Sequence, residues 1–190
     1  MKHIVLILAL LFSTIIQAQT EKQQLPYYEI PEYSETFTAG TVAARLIDGL
    51  GFRFYWASEG LTDIDLEYQP NEDVRSASET IDHILDLSYI IVNSTLKKAN
   101  QQVEKNEMTY AQKREQTLMN LKTAADILRG SDDISQFKII FGEREIPFWN
   151  QINGPIADAI WHCGQLASFR RTSGNPINPK ISHFNGTVKE

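Results

Sequence analysis

Four stretches of the chain carry hydrophobic residues at the three- and four-residue spacing of amphipathic helices. They predict helices at about 38–58, 76–98, 109–129 and 154–171. Residues 21–37 are expected to form an extended aromatic arm and residues 177–190 a polar tail. Loops are expected around Pro70 and at 99–108, and an irregular segment at 131–152. No strand pattern of any length competes. We therefore expect an all-α fold, a four-helix bundle with an extended N-terminal arm and an irregular segment between the third and fourth helices.

Local start and stop signals support three of these helices. Ser76 and Glu79 have the spacing of a capping box, in which each side chain accepts a hydrogen bond from a backbone N–H of the first turn. Thr109 is a similar start signal for the third helix, and Gly130 is placed to end it. Pro155 suits the first position of the fourth helix, because a proline there loses no hydrogen bond.

The first residues have the pattern of a secretory signal peptide. Lys2 precedes an apolar run from Ile4 to Ile16, and Ala18 stands before a polar sequence. We expect residues 1–18 to be a cleaved signal peptide and residues 19–190 to be one domain, periplasmic or secreted. Cleavage would leave no stable membrane anchor. An uncleaved anchor is the alternative, but the apolar run is short for a bilayer span.

Composition narrows the function classes. The 190 residues include 18 Lys and Arg against 24 Asp and Glu, a net charge of −6. This acidic balance argues against a nucleic-acid partner, since such a protein needs a basic surface to neutralise phosphates. Cys163 is the single cysteine, so no intrachain disulfide forms. A small-molecule substrate and a homodimer remain open.

The fourth helix carries the most informative polar residues. At about 100° per residue, Asp158, His162 and Gln165 fall within one narrow stripe of a helix that is otherwise apolar nearly all round. Such a helix is expected to be buried, so its carboxylate and imidazole need partners. Residues at i and i+4 can ligate one metal ion, and His83 is the only other histidine within a predicted helix. Alternatively, Asp158 and His162 form an internal hydrogen-bonded pair and His83 is satisfied in the core.

Two motifs resemble the DinB/YfiT-like superfamily of metal-binding four-helix bundles. The second helix of that family opens with Ser-x-x-acidic-x-x-x-His, which Ser76, Glu79 and His83 match here. Its fourth helix carries His-x-x-x-His-Arg-Gly-Gln and a hydrophobic-Arg ending. This chain has Asp158-x-x-x-His162-Cys163-Gly164-Gln165 and then Phe169-Arg170 in those positions. The match follows the helix order through nearly all of the mature chain.

The resemblance implies a metal triad of His83, Asp158 and His162. Asp158 replaces the usual histidine, which makes the ligands two imidazoles and one carboxylate and adds a negative charge. Positions on the metal would stay open for water or substrate. Zinc or nickel is preferred, with iron or manganese behind them. Cys163 replaces the usual arginine, and we expect it to be a buried small hydrophobe rather than a ligand.

Three function classes follow. The first is a metal-dependent enzyme, a hydrolase or a thiol-dependent transferase of the kind this family includes. In it, Glu79 supports a metal ligand or serves as general base, and Gln165 binds a ligand or orients Asp158. Tyr55, Trp56 and Trp161 are candidates for the pocket wall, or for plain core. The second class is a non-catalytic module that binds a metal or a small ligand. The third is a non-haem iron oxygenase, whose facial triad is also two histidines and a carboxylate, although on a β scaffold.

Overall fold

Four helices of 17 to 20 residues are the largest elements of residues 24–189, the part of the chain that this computed structural model describes. The six α-helices in chain order are α1 (Ala39–Ser58), α2 (Asp63–Glu67), α3 (Ala77–Thr95), α4 (Tyr110–Arg129), α5 (Phe148–Gln151) and α6 (Ala157–Ser173). The expected signal peptide at 1–18 lies outside the described residues. The expectation of an all-α class is confirmed, since the described chain is mostly helical with a few short strands.

Reciprocal caps start the long helices α1, α3 and α4. Ser76 Oγ accepts from the backbone N–H of Glu79, and a Glu79 carboxylate oxygen accepts from the N–H of Ser76. Thr38 and Thr109 cap α1 and α4 in the same reciprocal way. The predicted capping boxes at Ser76 and Thr109 are therefore confirmed, and they fix where α3 and α4 begin.

The core lies between the four long helices. α6 packs against α1 and α3, and α4 packs against the same two helices. Each fully buried large apolar side chain contributes about 1.5–3 kcal/mol to folding. The largest such side chains come from α1, α3 and α4, with Ile156 just before α6: Phe52, Phe54, Ile47, Leu50, Ile81, Ile84, Leu85, Ile91, Leu118, Leu121 and Leu128. The α3–α6 contact positions the candidate site.

The N-terminal arm packs on α1 without forming a helix or strand. Tyr27 is buried, and its ring lies where a side chain at position 51 would stand, because a Cβ on Gly51 would lie 2.4 Å from it. Trp56 Nε1 donates to the carbonyl of Tyr28 at 3.1 Å. Gly51 therefore provides the space in which the arm packs against α1.

The segment between α4 and α6 is more regular than its sequence predicts. Strands β1 (Ile139–Phe141) and β2 (Arg144–Ile146) form an antiparallel hairpin whose turn places Gly142 at a φ of 59°. A second antiparallel hairpin, formed by β3 (Ile181–Ser182) and β4 (Thr187–Val188), lies in the C-terminal tail. Strands of two or three residues are too short to produce a visible alternation of polar and apolar residues.

The fourth helical region begins earlier than predicted. α5, a π-helical turn at Ile152–Ile156 and α6 follow one another without a break, so the region runs from Phe148 to Ser173. Pro155 lies inside the π-helical turn rather than at a helix start. Proline has no N–H to donate, and the wider π-turn carries this residue without ending the helix.

The expectation that α6 is buried nearly all round is wrong. Trp161 is 79% exposed, and Ala157 and Gly164 are also exposed. Ala159, Cys163 and Leu166 form the buried side. Small apolar residues tolerate water because they offer little apolar surface, so their presence around a helix does not require burial on every side. Within residues 24–189 no helix is long and apolar enough to cross a membrane.

Candidate metal centre

Three side chains meet where α3 faces α6. Nε2 of His83 lies 3.1 Å from Oδ2 of Asp158, and Nε2 of His162 lies 3.3 Å from Oδ1 of the same carboxylate. One ligand atom from each residue lies within 4.8 Å of the other two. The structure thus brings together the three residues that the sequence suggested as a metal triad.

The helix geometry explains the cluster. Asp158 and His162 lie four residues apart on α6, so their side chains stack on one face. The Ser76 cap starts α3 and thereby sets the register that brings His83 opposite them. The two imidazole rings meet edge to face, with centroids 4.7 Å apart and an interplanar angle of 88°. His83 contacts Asp158, so the three residues form one group rather than a pair and a separate core histidine.

Gln165 orients His162. Its Oε1 lies 2.8 Å from Nδ1 of His162, one turn further along α6. An amide oxygen can only accept, so this contact places the proton on Nδ1 and leaves Nε2 for another partner. Metal-ligating histidines commonly hold their second ring nitrogen in this way. The sequence suggested that Gln165 binds a ligand or orients Asp158, whereas its side-chain partner in the structure is His162.

The donor set fits a divalent cation. With Nδ1 of His162 protonated, the neutral ring directs the Nε2 lone pair at a carboxylate oxygen, and two lone pairs repel unless a proton or a cation lies between them. Two imidazole nitrogens and a carboxylate oxygen are ligands that zinc accepts, and nickel, iron and manganese sites draw on the same donor types. The residues present therefore fit the metal that the family resemblance implies.

The group lies at the edge of the fold. The side chains of His162, His83 and Asp158 are 13%, 26% and 43% exposed, so exposure is greatest at the carboxylate. A closed structural site shields all of its ligands, whereas this site leaves one side open to solvent. An incoming ligand can approach from the Asp158 side.

Glu79 does not lie in this group. It is an exposed residue, and its carboxylate accepts the N–H of Ser76 at 2.8 Å. Hydrogen bonds from the backbone and side chain of Ser76 lower the pKa of Glu79. A carboxylate with a lowered pKa is a weaker base, and this one is engaged in the helix cap.

The other residues considered in the sequence analysis are not part of the group at His83, Asp158 and His162. Tyr55 and Trp56 are buried in contact with the arm residue Tyr28, and Trp161 is exposed. Burial raises the pKa of the Cys163 thiol to about 12, which makes it inert as predicted. His183 contacts Phe52 edge to face and does not join His83 and His162.

Arg170, which the family motif shares, has a structural role. It is buried and donates to the carbonyls of Trp56 and Asn175, thereby tying the end of α6 to the end of α1. Sequence reasoning missed this contact because its partner lies 114 residues away. The motif therefore contains both site residues and a residue that holds the helices together.

Comparison with known proteins adds no assignment. The chain matches no protein-family model, no curated protein and no solved structure.

Proposed function

We propose that this protein is an exported, DinB-like four-helix bundle that binds a divalent metal ion through His83, Asp158 and His162. The observation that carries the proposal is the meeting of three metal-type donors from α3 and α6 within 4.8 Å. The acidic chain supplies no basic stripe for nucleic acid, so the partner is a small molecule that reaches the open side of the site.

The DinB-like assignment is supported by order and packing. α1, α3, α4 and α6 follow the order of the four predicted helices, and each packs on two of the others. A long connection separates α4 from α6, as a bundle with one crossover requires. The Ser-x-x-Glu-x-x-x-His motif lies on α3, and the Asp-x-x-x-His motif lies on α6.

Zinc or nickel suits two imidazoles and one carboxylate best, with iron and manganese next. Such an ion, when bound, supplies Lewis acidity that activates a water or a thiol as nucleophile. The residues of this chain do the rest. Gln165 holds the proton on Nδ1 of His162, and the half-exposed Asp158 keeps one side of the site accessible.

We assign the reaction to the metal-dependent hydrolase or thiol-dependent transferase type. Hydrolysis suits an exported protein better, because low-molecular-weight thiols are mainly cytoplasmic. A non-catalytic metal-binding module is the second candidate. The position of Glu79 favours that module, since the residue expected to act as general base is held by Ser76.

Metal content tests the site. Elemental analysis of the purified full chain should find about one zinc or nickel ion per protein, and calorimetry on chelator-treated protein should show one-to-one binding. His83→Ala and His162→Ala should lose that binding, whereas the matched control His183→Ala should keep it. Equal binding by all three variants would place the metal elsewhere.

A second measurement separates enzyme from storage module. Cobalt substituted into the site should give a visible spectrum that changes when azide is added, because an open coordination position exchanges its water. A spectrum that does not change when azide is added would support the closed, non-catalytic alternative.

Export is tested separately, since mature protein from the native host should begin near Gln19.

A further inference from the structure

The outward face of the fourth helical region carries no charged residue from Trp149 to Ser168, and the exposed Arg171 follows it. Six of the exposed residues form one stripe, which we call the tryptophan face: Trp149, Asn153, Ala157, Trp161, Gly164 and Ser168. Trp149 and Trp161 are 75% and 79% exposed. Asp158 is the single Asp, Glu, Lys or Arg between positions 149 and 168, and its carboxylate is engaged with His83 and His162.

The π-helical turn aligns the two tryptophans. Residues twelve apart on an uninterrupted α-helix point about 120° away from each other. A π-turn rotates the chain less per residue, and the Ile152–Ile156 turn lies between the two indoles. Exposure of Asn153 and Ala157 between them shows that the stripe is continuous. The two rings stand about 18 Å apart along the helix.

The surface of α4 shows what an ordinary solvated helix in this protein looks like. Its exposed positions include Glu115, Lys122 and Asp126, and Lys122 pairs with Asp126 four residues on. The tryptophan face has no such residues over a comparable length. Trp149 also lines a cavity with the exposed Asp132 and Asp133, so the uncharged stretch is the helix itself and not all of the surface beside it. Large exposed aromatic residues along an uncharged helix face are typical of interaction surfaces.

We propose that the tryptophan face is a homodimer interface, in which the α5–α6 region packs antiparallel against the same region of a second copy. The exposed positions are arranged symmetrically, because Asn153 and Ala157 lie midway between Trp149 and Trp161. A two-fold axis there places Trp149 against the partner's Trp161, and Asn153 against the partner's Ala157. If the two helices cross at this small centre, they approach closely there, and the indoles fill the space where the helices diverge on either side.

Charge and area both favour a second copy. Each chain carries a net charge of −6, so two copies approach with least repulsion through an uncharged face. The two indoles together expose roughly 300–400 Å². That is close to half of the roughly 800 Å² per partner that a standard interface buries. The remaining exposed residues along the helical region continue the same surface.

Sedimentation equilibrium on the full chain, with chelator present, tests the proposal. Wild-type protein should show twice the chain mass at micromolar concentration. Trp161→Ala should weaken the dimer at least about 30-fold, as expected for an interface hot spot. Trp149→Glu combined with Trp161→Glu should give a monomer with an unchanged circular dichroism spectrum, because both side chains are exposed. The matched control Phe184→Glu changes a side chain that is 99% exposed elsewhere and should remain a dimer.

Two results would overturn the proposal. One is a wild-type monomer at 100 µM, and the other is a dimer that survives the double tryptophan substitution. A monomer whose tryptophan emission shifts to the blue on phosphatidylcholine vesicles would identify a membrane as the occupant instead. Because the chelator removes any bound ion, a dimer in its presence also shows that this inference stands apart from the metal site.

Discussion

Two aspartates of this protein lie at the same kind of place, a contact between helices, but they have opposite surroundings. Asp65 is 4% exposed and accepts hydrogen bonds from neutral donors on Thr62, Ser173 and Asn175. Asp158 is half-buried, and its recorded side-chain contacts are with the two imidazoles of His83 and His162. A carboxylate surrounded by neutral N–H and O–H groups is satisfied without a cation. A carboxylate facing two ring nitrogens is satisfied only by a proton or a metal ion.

Removing each carboxylate should show the largest difference. Asp65→Ala leaves the donors of three residues without an acceptor and should lower the free energy of unfolding by about 3 kcal/mol. Asp158→Ala in metal-free protein should change it by less than about 1 kcal/mol, because the side chain is half-exposed. Urea denaturation with chelator measures both values. Equal losses in the two variants would mean that Asp158 is also a structural residue.

Bound metal should raise the loss in Asp158→Ala to about that in Asp65→Ala, because only Asp158→Ala loses the ion. At a free concentration of about one hundred times Kd, an ion that binds only the folded chain adds about 2.7 kcal/mol. Chelation should therefore lower the Tm of wild-type protein and of Asp65→Ala, but not that of Asp158→Ala. Bound metal should fall in the order wild type, Asp158→His, Asp158→Ala, because an imidazole replaces the carboxylate with imperfect geometry. If Asp158→Ala binds as wild type does while His83→Ala fails to bind, Asp158 is not a ligand.

Lowering the pH should also reveal the contribution of Asp65 to stability. Burial raises its pKa, but hydrogen bonds from Ser173, Thr62 and Asn175 outweigh burial and hold the pKa well below the ordinary value. A lowered pKa in the folded state means that the stabilisation is complete above the unfolded value of about 3.9 and is lost as pH falls below it. Wild-type protein should lose stability there by up to about 1.4 kcal/mol per pH unit more than Asp65→Asn. Parallel pH profiles of the two proteins would contradict this.

The smallest effect is expected at a third carboxylate, that of Glu79, which accepts a hydrogen bond from the backbone N–H of Ser76. Glu79→Gln keeps an acceptor for the Ser76 N–H, so both stability and metal affinity should stay close to wild type. Ser76→Ala removes the cap and should cost about 1 kcal/mol of unfolding free energy. Calorimetry that finds metal binding weakened by Glu79→Gln would show that Glu79 does reach the site.

The sequence predicts the metal group better than it predicts the network at Asp65. His83, Asp158 and His162 lie on helices whose caps and periodicity are local signals, so their meeting follows once the helices are placed. Ser173 and Asn175 reach Asp65 from more than a hundred positions away. A contact between residues so far apart in the chain produces no local pattern in the sequence.

Two further features escaped prediction for different physical reasons. Pro155 at a helix start and Pro155 within a π-turn give the same sequence pattern, because both places accept a residue that donates no backbone hydrogen bond. The exposure of Trp161 was hidden by the apolar small residues around it, which are compatible with either core or surface.

The π-helical turn at Ile152–Ile156 also determines how this chain tolerates insertion and deletion. A π-turn holds one residue more than the α-helix that it interrupts. Deleting Asn153 would let the turn close into an ordinary helix, in which Trp149 and Trp161 would lie eleven residues apart and about 20° from each other. Phe148, now buried, would keep its orientation relative to α6 for the same reason. A deletion within α6 has no extra residue to absorb it and would rotate the two ends of the helix by about 100° relative to each other. The π-helical turn is therefore a place where this helical region can lose a residue and keep both ends in register.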